Sequence, residues 1–386
     1  MSRVLVTHVG SLPRAPALRD LLIRWDRGEA TDRAALDREM EAAVRRVVDK
    51  QLATGIDVGN DGEQPRPGFS TYVAMRMRGF GGESKRRLAR DLIEFPDYGA
   101  MLEKRRQGSA RIANAPQAIG EIEYADLDEA RRECDLFARV CESTRAKFTD
   151  RFMTAASPGT IATVLLDAHY GDHTAYIAAL AREMRKEYAL IHARGFLLQV
   201  DCPDLAMERA RFFQDLSIDQ FVDVVRLHVD AVNRAIEGIP PDRVRLHLCW
   251  GNYDGPHTHD VPFEAILPAI CEARVGALSM PFANPRHQHE YKVLKRHRLP
   301  ASMRLIPGVI DSTTNYVEHP EVVADRIEQA ADAVGDPARV MAGTDCGFGT
   351  FAGSENVADS VVWAKLAALR TGADLASARL YGNRAG

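Results

Sequence analysis

Short apolar runs that end in polar residues recur along the chain, and longer segments with helical spacing separate them. Continuous apolar runs are typical of parallel strands buried on both faces. Segments with apolar residues three and four positions apart predict amphipathic helices. The predicted strands are 55–59, 196–201, 244–249, 276–280, 305–311 and 340–345. The predicted helices are 32–54, 173–194, 218–236 and 321–334.

This alternation of strands and helices predicts consecutive βαβ units and therefore an α/β fold. An open doubly wound sheet is the main alternative, but no Gly-x-Gly-x-x-Gly follows the first predicted strand and no Walker loop is present. We therefore expect a (β/α)8 TIM-type barrel, with residues 1–386 forming a single domain. In such barrels functional residues collect at the carboxyl ends of the strands.

One segment, 79–118, interrupts this pattern because it is rich in Arg, Lys and Glu and carries few strand signals. We interpret it as a helical insertion at the barrel mouth. Its charge is typical of a solvated face rather than of a binding patch.

Composition narrows the possible functions. The 386 residues are 46% hydrophobic and 27% charged, with a net charge of −4, so the chain can bury a large core but has no overall basic surface for nucleic acid. Neither a signal peptide nor an apolar stretch long enough to cross a bilayer is apparent, which predicts no membrane partner and a cytoplasmic location. The composition leaves an oligomer possible.

Six scattered cysteines are too few for a disulfide framework, so we expect reduced thiols. Cys134, Cys141 and Cys271 fall in helical patterns and are predicted to pack in the interior. The role of Cys202 stays open, because it lies at a strand end between two polar positions.

His247 and Cys249 are two residues apart on a predicted strand, so their side chains share one face and can reach one ion. Cys346 follows a later strand and could supply a second thiolate. An imidazole with thiolates suits zinc. Taken alone, the pattern is also compatible with two buried cysteines and a strand histidine without metal.

Two further histidine pairs compete as ligands. His257 and His259 form one pair, and His287 and His289 form the other. Both lie in segments rich in turn residues, so we predict that they belong to surface loops.

Seven segments together resemble the catalytic half of cobalamin-independent methionine synthase and its shorter single-barrel relatives. They are His-Val-Gly-Ser-Leu-Pro-Arg (8–14), Asp-Gly-Glu (61–63), Ser-Pro-Gly-Thr (157–160), Leu-Gln-Val-Asp-Cys-Pro-Asp (198–204), His-Leu-Cys (247–249), Pro-Gly-Val-Ile-Asp (307–311) and Asp-Cys-Gly (345–347). They occur in the family's order over nearly the whole chain. The resemblance implies a barrel that carries Zn²⁺ on His247, Cys249 and Cys346.

The resemblance also implies a site for an amino-acid thiol such as homocysteine. Its binding residues would be Gly10 and Ser11 of the first loop, with the carboxylates of Glu63 and Asp201. Two carboxylates opposite a main-chain loop suit a ligand that carries an ammonium and a carboxylate, since charge-assisted hydrogen bonds are strong. The alternative is that one carboxylate caps a helix while the other faces solvent.

The sequence departs from the family at two positions. Pro281 stands where the family carries a glutamate ligand to zinc, and the histidine expected after Asp311 is absent. In addition, only one of the two barrels of the full-length synthase is present, which weakens the inference of a folate methyl donor. Epoxyalkane:coenzyme M transferase is a shorter relative that opens an epoxide with a similar ligand set.

Three hypotheses follow. The chain is a zinc-dependent methyltransferase that acts on a small thiol, a thiol transferase that opens an epoxide, or a non-catalytic zinc- or ligand-binding barrel. In the first two, the partners are a thiol and an alkyl donor, either methyl-folate or an epoxide. A proton donor is needed in both. The candidates are Asp201, Asp311, His169 and Tyr170.

Overall fold

A closed parallel barrel forms the centre of the protein in the computed structural model, which describes residues 3–110 and 114–382. Seven parallel strands pair in chain order, and Val6 and Thr7 add an eighth parallel segment by bridging Ala342 at one edge and Val58 at the other. The predicted (β/α)8 barrel is therefore confirmed. The barrel strands are β1 (Val58–Gly59), β4 (Asp150–Ala156), β5 (Leu197–Asp201), β6 (Val244–His247), β7 (Ala277–Pro281), β8 (Arg304–Ile310) and β9 (Gly343–Thr344). The other two strands are β2 (Met77–Gly81) and β3 (Gln117–Tyr124), which pair antiparallel outside the barrel.

Twelve α-helices of the described residues surround the strands or cover the barrel ends. They are α1 (Pro16–Asp26), α2 (Arg33–Ala53), α3 (Arg90–Glu94), α4 (Pro96–Arg106), α5 (Asp128–Ser143), α6 (Pro158–Val164), α7 (His173–Ala193), α8 (Ile218–Ala235), α9 (Phe263–Ile270), α10 (Tyr291–Arg296), α11 (Pro320–Val334) and α12 (Asp359–Gly382). The four predicted helices match α2, α7, α8 and α11 to within one residue at each end. Capping side chains mark where two of these helices begin. Asp32 accepts hydrogen bonds at the start of α2, and Ser217 and Gln220 form a capping box at the start of α8.

The predicted strands were found, but two parallel segments were missed: β4 and the bridging pair Val6 and Thr7. Strand β6 also ends two residues early, at His247, so Cys249 lies just beyond it. Both missed segments are short or begin with charged residues, which obscures an apolar run. The missed segment at residues 6 and 7 is the one that closes the barrel.

The predicted insertion 79–118 contains helices α3 and α4, but its two ends belong to β2 and β3, which the sequence did not reveal. The insertion lies against the loop that follows β6. Buried Asp91 accepts hydrogen bonds there from the Tyr253 hydroxyl at 2.9 Å and from the backbone N–H groups of His257 and Thr258, each at 3.1 Å. Arg105 also forms a bidentate ion pair with Asp254. The division of the chain into a single domain with an insertion stays a prediction.

Within the described residues, none of the helices combines the length and apolar character that a membrane crossing requires. The cytoplasmic location and the possible oligomer remain predictions. Cys134 and Cys141 are buried on α5, Cys202 is buried at the end of β5, and Cys271 is partly exposed at the end of α9.

Helix α6 packs unusually closely on the loop after β5. Ser157 and Thr160 each donate a hydrogen bond of 2.6 Å to one oxygen of buried Asp204, and the other Asp204 oxygen lies 2.7 Å from Nδ1 of His228. A Cβ atom at Gly159 would lie 2.0 Å from that second oxygen and 2.4 Å from the same imidazole nitrogen. Only glycine leaves room for this buried pair.

Gly159→Ala should therefore lower the free energy of unfolding by about 2–3 kcal/mol, because the buried pair must move apart to admit a methyl group. The matched control is Gly99→Ala in α4, where the nearest atom would be 3.6 Å away. There the helical preference of alanine should raise the free energy of unfolding by about 0.5–1 kcal/mol. Urea unfolding measures both, and equal effects of the two substitutions would contradict the packing argument.

Candidate active site

The structure brings together the three residues that were predicted as metal ligands. His247 is the last residue of β6, Cys249 follows two residues later, and Cys346 lies two residues past β9. The candidate ligand atoms of the three lie within 4.8 Å of one another, and all three residues are buried. Strands β6 and β9 are not neighbours in the sheet, so the curvature of the barrel produces this cluster.

The chemistry of this cluster fits a metal ion. A hydrogen bond from Cys346, aided by His247, holds the pKa of the Cys249 thiol well below its usual value, while the same contact and burial raise the pKa of Cys346. Nδ1 of His247 is buried and has no hydrogen-bond partner. Two buried cysteines beside an unsatisfied imidazole nitrogen form a soft donor set of the kind that zinc prefers.

Two buried carboxylates, Glu63 and Asp201, line the same cavity as the three ligands. Burial raises the pKa of Glu63, and burial together with the negative charge of Glu63 raises the pKa of Asp201 to about 7. Gln199 orients Asp201 with a hydrogen bond of 2.7 Å, whereas Oε2 of Glu63 has no partner. An ammonium group between these carboxylates would offset their repulsion and satisfy the free oxygen.

Gly10 and Ser11 lie beside these groups because glycines permit a close approach of two loops. A Cβ atom at Gly10, where φ is +148°, would lie 2.5 Å from Oε1 of Glu63. A Cβ atom at Gly347 would lie 2.0 Å from Oγ of Ser11. These two glycines allow the first loop to contact both Glu63 and the loop that carries Cys346.

Of the four candidate proton donors, the structure brings only Asp201 to this cavity. His169 is exposed and does not line the cavity. The Tyr170 hydroxyl accepts a hydrogen bond of 2.9 Å from the backbone N–H of Ile122. Asp311 is buried, but its Oδ1 accepts four hydrogen bonds from the backbone and hydroxyl groups of Thr313 and Thr314. Asp311 therefore orders a turn.

Pro281 is the last residue of β7 and faces a small adjoining cavity that Cys346 also lines. The three residues after it, 282–284, donate their backbone N–H groups to the carboxylate of Asp345 at 2.7–3.0 Å. Asp345 therefore fixes the turn that follows Pro281.

The prediction that both histidine pairs lie in surface loops is wrong for His257 and His287, whose side chains are only 3% and 6% exposed. Each lies 2.8 Å from the same oxygen of Asp260. His289 is exposed, as predicted, and His259 is partly exposed. The spacing of His257 and Asp260, three residues apart in one loop, was the sequence signal that could have revealed the cluster.

The outer walls of the main cavity were not anticipated from the sequence. They are largely apolar and aromatic, with one arginine whose guanidinium has no ion-pair partner among the described residues. These wall residues are Phe69, Phe351, Tyr253, Met207 and Arg211.

No family model matches the chain. Among known proteins it is similar to the methionine synthase of Pyrococcus furiosus, at 25% identity over 344 residues that cover 88% of this chain and 85% of the relative. It is also similar to the 2-hydroxypropyl-CoM lyase of Xanthobacter autotrophicus, at 24% identity over 84% of this chain and 83% of the lyase. The predicted resemblance is confirmed.

The fold resembles that of solved structures over almost the whole chain. A B12-independent methionine synthase from Shewanella sp. W3-18-1 superposes with a TM-score of 0.74, at 20% identity over 99% of this chain and 100% of the other. A protein from Listeria monocytogenes described as a vitamin-B12 independent methionine synthase superposes with a TM-score of 0.63 at 18% identity. At such identities the likeness shows the shared barrel.

The pKa of Asp201 makes stability depend on pH in a defined direction. Since this pKa rises from 3.8 to about 7 on folding, the folded protein binds a proton more tightly than the unfolded chain. Its stabilising effect is complete below about pH 4 and is lost as the pH rises toward 7 and above. In chelator-treated protein, Asp201→Asn should reduce the loss of stability by an amount on the order of a few kcal/mol, at roughly 1.4 kcal/mol per pKa unit. The remaining loss comes from groups such as Asp61, whose pKa burial also raises to about 7.

Urea unfolding at pH 5 and pH 8 measures the difference between the two proteins. Asp49→Asn, on the exposed face of α2, is the control and should follow the wild-type profile. An Asp201→Asn protein that loses as much stability as the wild type between these pH values would show that Asp201 is not the responsible group.

Proposed function

We propose that this protein is an enzyme that transfers an alkyl group to a small amino-acid thiol such as homocysteine. The alkyl group that we favour is methyl. One observation carries the proposal: the soft cluster of His247, Cys249 and Cys346 shares a single cavity with the buried carboxylates Glu63 and Asp201. Such a cavity offers separate places for the sulfur and for the ammonium group of one ligand.

The carboxylates favour an amino-acid thiol over a sulfonated thiol. An ammonium group would be attracted to Glu63 and Asp201, while a sulfonate would be repelled by them in a site where burial strengthens both effects. The loop of Gly10 and Ser11 lies beside these carboxylates and would receive the amino-acid carboxylate.

We assign Zn²⁺ to His247, Cys249 and Cys346. When bound, zinc would lower the pKa of a substrate thiol so that it is a nucleophilic thiolate at neutral pH. Catalytic zinc sites have three protein ligands and one open position, whereas structural sites have four. Three ligands are present here, and Pro281 cannot act as a fourth, which supports a catalytic site.

Asp201 is the residue to which we assign the proton. Its carboxylate lines the cavity that holds the three candidate ligands, where it would accept the thiol proton and return a proton to the leaving atom of the alkyl donor. The S–H bond is thereby exchanged for an S–C bond, and the donor leaves in protonated form.

The second candidate function is the opening of an epoxide by a thiol. The similarity to a relative named 2-hydroxypropyl-CoM lyase favours it, as does Pro281 in place of the glutamate. A barrel that binds metal without catalysis is the remaining alternative, and it would show metal binding without alkylation of any thiol.

The ligand triad should bind about one zinc per chain, because three converging soft donors hold this ion at neutral pH. Cys249→Ser and Cys346→Ala should each remove about that one equivalent, measured by mass spectrometry of the metal after gel filtration. Cys271→Ser, a partly exposed cysteine outside the cluster, is the control and should retain full content. Full zinc content in the Cys346→Ala protein would refute the ligand assignment.

The function is tested by offering homocysteine and 2-mercaptoethanesulfonate, each with 5-methyltetrahydrofolate and with epoxypropane. We expect a methylated product from homocysteine and the folate. Glu63→Gln should raise the KM for homocysteine roughly 10- to 100-fold, since a charged hydrogen bond is lost. Thioether formed only from the sulfonated thiol and the epoxide would establish the second candidate, and no product in any pair would leave the non-catalytic alternative.

A further inference from the structure

A second cluster of buried side chains lies apart from the proposed zinc ligands. His257 and Asp260 belong to the loop after β6, and His287 belongs to the turn after β7. Nδ1 of His257 and Nε2 of His287 each lie 2.8 Å from Oδ2 of Asp260. The candidate ligand atoms of the three residues lie within 4.8 Å of one another.

The hydrogen-bond contacts of His257 require a positive charge in this cluster. Nδ1 of His257 faces the Asp260 carboxylate, and its Nε2 faces the carbonyl oxygen of Tyr253 at 3.1 Å, so both nitrogens of one ring face acceptors. The Asp260 side chain is only 4% exposed. A neutral imidazole can donate from one nitrogen only, so a second proton or a metal ion must provide the charge.

Two polar atoms of the cluster are unsatisfied. Oδ1 of Asp260 and Nδ1 of His287 are buried and have no hydrogen-bond partner. Unpaired buried polar atoms are costly. Because Oδ1 has no partner, the carboxylate of Asp260 can rotate, and it can bind an ion through either of its oxygens.

We propose that His257, Asp260 and His287 form a second metal site, which binds a divalent transition-metal ion. Two imidazoles and a carboxylate suit zinc or ferrous iron and do not suit Mg²⁺ or Ca²⁺, which prefer oxygen ligands. The bond from Nε2 of His257 to the Tyr253 carbonyl is the outer hydrogen bond that a metal-binding histidine typically makes. The ring of His287 is stacked on Trp250 at 3.9 Å between centroids, which fixes its orientation.

This second site shares no residue with the first. Both border the small cavity beside Pro281, which is lined by His257 and His287 on one side and by Cys346 on the other. Asp91 of the insertion accepts a hydrogen bond from the backbone N–H of His257. An ion bound by the second site would therefore hold the insertion, the loop after β6 and the turn after β7 together. The inference does not depend on the proposed alkyl transfer.

Zinc titration of the full-length protein, followed by gel filtration and metal analysis, tests the site. We expect about two equivalents in the native protein and about one in His287→Gln, because glutamine can still donate a hydrogen bond to Asp260 but is a poor zinc ligand. His289→Gln is the matched control: the same substitution two residues away, at a side chain that is 61% exposed, should retain both equivalents. Cys249→Ser should retain the equivalent that depends on His287.

Co²⁺ binding provides a second measurement. The Cys249 and Cys346 site should give a sulfur-to-cobalt charge-transfer band, and a further equivalent should bind without increasing that band. Asp260→Asn should lose this further equivalent and keep the band. A native protein that binds only one equivalent, or a second equivalent that persists in both His287→Gln and Asp260→Asn, would overturn the proposal and identify the cluster as a hydrogen-bonded clamp.

Discussion

The closure of the barrel by the pairs Val6–Ala342 and Thr7–Val58 is the constraint on which the candidate site depends. These pairs set the first segment between β1 and β9, so the loop that follows it reaches the loop after β9. Phe348 donates its backbone N–H to the carbonyl of Ser11 at 2.8 Å across more than 330 positions of sequence. Without closure, Gly10 and Ser11 would have no fixed relation to Cys346.

A second constraint is the electrostatic imbalance inside the closed barrel. Glu63 and Asp201 are buried in one cavity, and Cys249 and Cys346 line the same cavity. In the absence of ligands this arrangement costs stability, since burial penalises both charged carboxylates and the nearby guanidinium of Arg66 offsets that penalty only in part. Glu63 also has a positive φ of 53°, a strained conformation for a residue with a side chain. Unfavourable charge and backbone strain at one place support the proposed binding of a cationic ligand group, because a bound cation would relieve the repulsion.

Much of this architecture could be predicted from the sequence, for identifiable reasons. The helices α2, α7, α8 and α11 are long and amphipathic, and capping residues mark the start of α2, α7 and α8, so local patterns defined them. His247 and Cys249 were predicted as partners because strand periodicity is local. The surroundings of Asp311 and His169 were not predictable, since they depend on tertiary contacts. Burial of His257 and His287 likewise follows from the pairing of two distant loops with Asp260 and Trp250, which turn-rich sequence conceals.

Pro281 lies where barrel strand β7 meets the candidate site. Pro281 has no N–H to donate and is the last residue of β7, and the next N–H groups of 282–284 are donated to Asp345. Gly308 makes room for that carboxylate, because a Cβ there would lie 2.3 Å from Oδ1 of Asp345. Asp345 immediately precedes Cys346, so the turn after Pro281 and the Cys346 ligand form one rigid unit. The order of this turn therefore comes from Asp345, and the proposed zinc site has its three protein ligands without a side chain from the turn.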